Sequence, residues 1–318
     1  MENVKRLGNR INISIEPDED GFTGRECPVP ECEGYFKVEF GTGIQEKEVP
    51  CHCPYCGHIA LHDGFWTKEQ IEYAKSFALR TLTDAIHKDL KKLEFNYKPR
   101  GAFGIGVSMK VKQEKPIPIH HYREKKLETE VVCDNCTLRY AIYGVFAFCP
   151  DCGQHNSLQI LNKNLELINK MLNMASTAEE ELANHLVTNA LEDCVSSFDG
   201  FGRELCQVYA NKSTAPDKAT KISFQNIKAT KAALNTLFNI DMTSILLKDD
   251  WQIIVSGFQK RHLLSHKMGI VDSEYVEKTG DIQAIVGRKI CISEEEVRKL
   301  IEIIIKLSRY IYEEFKKI

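Results

Sequence analysis

The 318-residue chain has no long apolar run; the longest, Ile301 to Leu307, carries Glu302 and Lys306. A membrane-spanning helix needs roughly 20 apolar residues, so no membrane partner is expected. Met1 to Gly21 is polar, turns acidic toward its end and lacks the apolar core of an export signal. The expected location is therefore the cytoplasm. Nor is there a charge excess of one sign. Lys and Arg number 42 against 45 Asp and Glu, for a net of −3, which excludes a polycation. Any nucleic-acid contact has to come from a local basic patch.

Cysteine, by contrast, is abundant, with 12 residues. A secreted disulfide scaffold is short and spreads its cysteines along the chain. Here eight fall into four close pairs, and the pairs themselves come in twos. That arithmetic points to metal sites in a reducing compartment. The cleaner cluster is Cys133-Asp-Asn-Cys136 followed by Cys149-Pro-Asp-Cys152-Gly153, with a hairpin's worth of residues between its halves. A two-residue gap lets both thiolates reach one ion from a tight turn, and glycine after the last cysteine permits the left-handed closing residue. The other cluster is Cys27-Pro-Val-Pro-Glu-Cys32 with Cys53-Pro-Tyr-Cys56-Gly57. Cys51, His52 and His58 are rivals for that site, but Cys27, Cys32, Cys53 and Cys56 form the simplest set. The pattern is that of two zinc ribbons. Four thiolates close the coordination sphere and leave no position for water, so both Zn2+ ions are expected to be structural. Cys194, Cys206 and Cys291 read as small core residues.

The organisation expected is α+β and multidomain. Zinc-ribbon (small β) modules occupy 1–64 and 127–156. An amphipathic helix and a basic connector lie between them at 65–126, and an all-α bundle spans 157–318. Residues 1–20 read as a polar leader or irregular strand, and Tyr35 to Phe40 as a strand. Thr67, with Gln70 three residues on, caps a helix reaching Leu93. The connector from Lys98 to Lys126 has Lys98, Arg100, Lys110, Lys112, Lys115, Arg123, Lys125 and Lys126 against Glu114 and Glu124, a net of +6. It points to nucleic acid as strongly as to a plain solvated strand. In the second half, helical spacing covers 158–175, 178–211, 224–238 and 249–267, with Asp249 or Asp250 as the cap of the last of these. Residues 272–292 read as a loop with one strand-like run. Ser293 and Glu296 then form a capping box for a closing helix that reaches Phe315. The glycines at 200 and 202 suggest a kink or a close approach by another backbone; Ser197 to Glu204 reads as a helix break with solvated charges, and Asp199, Arg203 and Glu204 lining a cleft is the alternative.

The most informative stretch is Arg261-His262-Leu-Leu-Ser265-His266, followed by Gly269-Ile-Val-Asp272. Arg261 and His266 have R-x4-H spacing, with His262 as the polar residue after the arginine, at the C-terminal end of a helix in an all-helical region. From about Glu179 to Ile318 the chain resembles the HEPN (higher eukaryotes and prokaryotes nucleotide-binding) superfamily. Members place such a motif at the end of the third main helix of a bundle. The resemblance implies a HEPN-like bundle that forms a homodimer, with both motifs facing one cleft. It also implies a metal-independent endoribonuclease with RNA as substrate, often in toxin or antiviral defence systems. His266 then serves as general acid/base, Arg261 as phosphate clamp, and His262 as the orienting polar group. The chemistry suits these residue types. Imidazole can give or take a proton near neutral pH, and guanidinium presents a permanently charged fork to phosphate oxygens.

His262 and His266 are four apart and share a helix face, whereas Arg261 and His266 diverge by more than a quarter-turn. The pair converges only if the helix tightens or if two protomers share one cleft. The zinc ribbons would then select the target or a protein regulator. Against this stand three other readings: a helix-end cluster of surface cations, a non-catalytic zinc-ribbon adaptor for nucleic acid or protein with a helical dimerisation module, and a transcription-associated zinc-ribbon factor.

Overall fold

A computed structural model describes residues 1–8, 10–45, 49–97, 107–112 and 115–318, with Tyr97 by its backbone alone. Lys98, Arg100 and Glu114 of the basic connector lie outside the described residues. The chain forms two compact units, residues 1–154 and 155–318. The first mixes short strands with two helices: α1 (Glu2–Leu7), β1 (Thr23–Glu26), β2 (Tyr35–Val38), β3 (Pro50–His52), β4 (Ile59–Leu61), α2 (Lys68–Lys91), β5 (Phe95–Tyr97), β6 (Val107–Met109), β7 (Thr129–Val132) and β8 (Arg139–Ile142). The second is helical: α3 (Ser157–Ala175), α4 (Glu180–Val208), α5 (Pro216–Ala219), α6 (Ile227–Phe238), α7 (Lys248–Lys267), α8 (Ser273–Thr279) and α9 (Glu294–Lys317).

In the first unit two antiparallel hairpins each carry a cysteine pair in their turn, Cys27/Cys32 between β1 and β2 and Cys133/Cys136 between β7 and β8. The hairpins lie edge to edge in one sheet of order β1-β2-β8-β7, joined through Lys37↔Ala141 and Val38↔Tyr140. The sequence treats the two cysteine modules as separate, yet backbone pairing makes them halves of one sheet. They also share a core. Phe36, Val38 and Phe65 pack with Val131, Leu138, Tyr140 and Ile142 around Cys27, Cys53, Cys133 and Cys149.

Helix α2 starts as expected, with Thr67 and Gln70 exchanging the two hydrogen bonds of a capping box. Its apolar stripe is only half covered. Ile71, Leu79 and Leu82 are exposed, and the buried positions are Gln70, Ala85 and Asp89. Asp89 accounts for the first residues of the chain, where Glu2–Leu7 form a short helix and not a strand. The Asp89 carboxylate accepts from the backbone N–H of Asn3 and Val4 and from Asn3 Nδ2 at 2.7–3.0 Å, satisfying donors that α1 leaves free at its start. Burial works against the charge, but those three bonds outweigh it and hold the Asp89 carboxyl at about 2.

In the second unit α3, α4, α7 and α9 pack around Leu165, Leu172, Leu191, Phe198, Phe201, Leu205, Ile254, Phe258, Leu300, Ile304 and Leu307. Ser293 and Glu296 cap α9 reciprocally, as the sequence indicates. Three elements differ from the sequence reading. Helix α4 runs through Asp199-Gly200-Phe201-Gly202 without a break. Gly202 is there because a Cβ would sit 2.3 Å from the Phe224 ring; a side chain's close approach, and not a kink, selects it. Helix α7 is entered from Leu247, whose N–H donates to Asp250 Oδ2 at 3.2 Å, so Asp250 acts from inside the first turn and neither Asp249 nor Asp250 is the cap. The stretch after α7 holds α8, capped by Asp272 through Tyr275 N–H at 2.8 Å, and its strand-like run is reduced to one bridge, Ile270↔Lys289.

The two α4 glycines give a paired test. A Cβ at Gly200 meets nothing within 4 Å, so Gly200→Ala should stabilise the helical unit by about 0.5–1 kcal/mol through helix propensity. Gly202→Ala should cost about 1–3 kcal/mol through overpacking. Urea unfolding of the two variants checks both signs; equal effects would contradict this reading of α4.

Candidate functional site

The first candidate is the pair of cysteine clusters. Cys27, Cys32, Cys53 and Cys56 bring their sulfurs within 4.8 Å of one another, and Cys133, Cys136, Cys149 and Cys152 do the same. These are the two sets expected from the spacing. All eight are free of disulfides. The paired Sγ···Sγ separations are 3.6 Å for Cys27–Cys56, 3.7 Å for Cys32–Cys53, 3.7 Å for Cys133–Cys152 and 3.4 Å for Cys136–Cys149. A tetrahedral ion with metal–sulfur bonds of about 2.3 Å requires edges of about 3.8 Å. Each group therefore fits one such ion. Cys51, His52 and His58 are not members of either group; His52 Nδ1 faces the Pro150 carbonyl at 3.2 Å.

Local backbone builds both sites. The N–H groups of Val29, of Tyr55 and Cys56, of Leu138 and of Cys152 are directed at the sulfurs of Cys27, Cys53, Cys136 and Cys149. In each of the four turns, the residue after the second cysteine is left-handed: Glu33, Gly57, Thr137 and Gly153 have φ of 43°, 70°, 65° and 66°. Sequence points to the two glycines; the same geometry at Glu33 and Thr137 is hidden by their side chains. Burial pushes the Cys27 and Cys136 thiols up to about 12, while hydrogen bonds from neighbouring sulfurs and the backbone draw Cys56 and Cys152 down; a cation among the sulfurs would favour the thiolate form of each group. Among the other cysteines, Cys194 and Cys206 are core residues, but Cys291 is exposed. It sits on the loop that follows the bridge at Lys289.

The second candidate lies on α7. Arg261, His262 and His266 occupy its last two turns, and the helix stays regular to Lys267 before Met268 closes it with φ 53°. The tightening that could have brought Arg261 and His266 together within one chain is absent. Successive positions are turned by about 100°, and the residues divide accordingly. Arg261 and Ser265 face neighbouring segments: Arg261 Nη1 donates to Gln225 Oε1 in the turn before α6 at 3.2 Å, and Ser265 Oγ to Glu192 Oε1 on α4 at 2.9 Å. His262 and His266 present the other face, with ring centroids 4.8 Å apart, and both are exposed. Arg261 is half-buried, and its Nε is covered and has no hydrogen-bond partner.

The Asp199 region, read from the sequence as solvated, is an internal junction. Asp199 is 5% exposed and accepts from Phe224 N at 2.6 Å, Ser223 Oγ at 3.2 Å and Gln225 Nε2 at 3.2 Å. Arg203 Nη1 lies 3.9 Å from the same carboxylate. Gln225 has no motif around it that could have marked it.

No helix among the described residues is long and apolar enough to cross a membrane. Comparison of the chain with family models, with curated proteins and with solved structures gives no match in any of the three. Function therefore has to be argued from the two sites.

Metal analysis of the purified protein should give close to two ions per chain, falling to one in Cys133→Ser. Stripping the metal should unfold the 1–154 unit while leaving the helical circular dichroism of 155–318 largely in place. One ion or none in the unaltered protein contradicts the ligand sets.

Proposed function

We propose that the helical unit is a metal-independent endoribonuclease of HEPN type acting as a homodimer. The two four-cysteine groups hold structural zinc, and the zinc-ribbon unit selects the RNA or a regulatory protein. The observation that carries the reading is the division of α7: a guanidinium half-buried against its neighbours, and two imidazoles in contact on the adjacent, more open face. One chain presents its arginine and its histidine pair in different directions. Two chains related by a two-fold axis can place the histidines of one beside the arginine of the other.

Cleavage then needs no further group. One imidazole takes the proton from the ribose 2′-hydroxyl as the 2′-oxygen bonds to phosphorus. A second, protonated imidazole gives its proton to the departing 5′-oxygen as the P–O5′ bond breaks. The products are a 2′,3′-cyclic phosphate and a 5′-hydroxyl. Arg261 compensates the charge that accumulates on the phosphorane oxygens. In this scheme His266 is the general acid/base, and His262, with its ring against that of His266, orients it or supplies the second proton site. The cysteine clusters take no part, because four thiolates fill a tetrahedral ion.

A second reading is a non-catalytic nucleic-acid-binding adaptor. It is favoured by the basic residues Lys110, Lys112, Lys115, Arg123, Lys125 and Lys126 in the same segment as His121 and Tyr122, whose ring centroids lie 5.9–6.0 Å from that of Tyr73. Base stacking beside cations is a general way to grip single strands.

His266→Ala decides between them. On the nuclease reading it lowers the cleavage rate on cellular RNA by about 10²–10⁴-fold, with the dimer intact by analytical ultracentrifugation. RNA that is bound in a salt-dependent way but not cut by the unaltered protein, or cut equally by the variant, removes the nuclease and leaves the adaptor.

A further inference from the structure

Arg261 does not hold its orientation by itself. Its Nη1 donates to Gln225 Oε1 at 3.2 Å; Gln225 Nε2 donates to Asp199 Oδ2 at 3.2 Å; and Asp199 also accepts from Phe224 N and Ser223 Oγ through Oδ1. This is a single line of donors and acceptors from the middle of α4, through the segment preceding α6, to the last turns of α7. Its direction is fixed by chemistry. A carboxylate only accepts and a guanidinium only donates, so the amide between them has one orientation that satisfies both. Asp199 is the anchor, being 5% exposed and bonded to the backbone of Phe224 at 2.6 Å. Gln225 is the movable link: it is exposed and packs in no core.

Within the nuclease reading, on which the idea rests, we infer that Gln225, oriented by Asp199, is a positioning residue for Arg261. Holding Nη1 fixes the guanidinium plane and leaves the other edge, Nε and Nη2, as the fork that meets an RNA phosphate. Nε is covered and makes no hydrogen bond, so a phosphate that displaces the cover satisfies a donor that is otherwise left without a partner. The neutral amide also keeps the Asp199 charge from pairing directly with Arg261. A direct ion pair would compete with phosphate for the same cation.

The segment offers its own control. Asn226, the next residue, caps α6 by accepting from Ala229 N at 3.2 Å, a bond that does not involve Arg261. The test is steady-state cleavage of a short RNA by the unaltered protein, Gln225→Ala, Asn226→Ala, Arg261→Ala and the Gln225→Ala/Arg261→Ala double variant. Melting curves and the NMR signal of the Arg261 Nε–H group are recorded for the unaltered protein, Gln225→Ala and Asn226→Ala. Gln225→Ala should lower kcat about tenfold, the loss of one hydrogen bond to a charged group, without changing the melting temperature. Combined with Arg261→Ala it should add nothing. Asn226→Ala should lower the melting temperature and leave kcat unchanged.

The Arg261 Nε–H signal, dispersed in the unaltered protein, should move toward the free-arginine position in Gln225→Ala. Wild-type kcat in Gln225→Ala, where Arg261→Ala is inactive, overturns the positioning role and spares the nuclease. If the unaltered protein cuts no RNA, the nuclease reading falls. The NMR signal then decides the positioning alone: unmoved by Gln225→Ala, it overturns that too.

Discussion

An α-helix advances about 100° per residue, and the functional account depends on α7 keeping that step through its last turns. Because it does, residues 261 and 265 reach toward α4 and the α6 segment, while 262 and 266 share a more open face. The arginine is thereby given fixed partners and the histidines are given access. The same regularity keeps Arg261 and His266 of one chain apart, so a shared site requires a second chain. A kink or tightened turn at 262–265 would have made a self-contained pair and removed the reason for a dimer.

The packing of the helical unit maintains that arrangement. Phe258, one turn before Arg261, is buried against Phe198 of α4, with ring centroids 6.2 Å apart. Phe198 also meets Phe224 at 5.4 Å. Gly202 makes room for Phe224, and Asp199 holds its backbone N–H. Residues of "SFDGFGRE" thus fix the segment that presents Gln225 to Arg261. In the other unit the constraint is different. Its strands run to three or four residues, and its core contains the metal-ligand sulfurs themselves. A sheet of that size has little apolar area to define it, and an ion held by each four-cysteine group would close the four turns.

What could be read from the sequence follows from range. Metal ligands two or four residues apart, the Thr67–Gln70 and Ser293–Glu296 capping boxes, and the shared face of His262 and His266 are local patterns, and each is found where its spacing puts it. Long-range partners left no local mark. Gly202 looks like a helix breaker until the Phe224 ring is seen against it. Asp199 looks solvated until the 223–225 segment is seen to bond it. The pairing of β2 with β8 joins modules that sequence treats as separate, because a strand's partner is not written in its own alternation. The α1 helix is missed for the same reason: its cap comes from Asp89 and not from a residue beside it.

The central claim is that one chain's histidines act with another chain's arginine, and mixing two inactive variants tests it most directly. Arg261→Ala retains His266, and His266→Ala retains Arg261. Each homodimer alone lacks one half of the chemistry. Unfolded together and refolded as a mixture, they should recover RNA cleavage through heterodimers that contain one intact Arg–His combination across the interface. A mixture as inactive as its parts, with heterodimers present, would contradict a site shared between subunits.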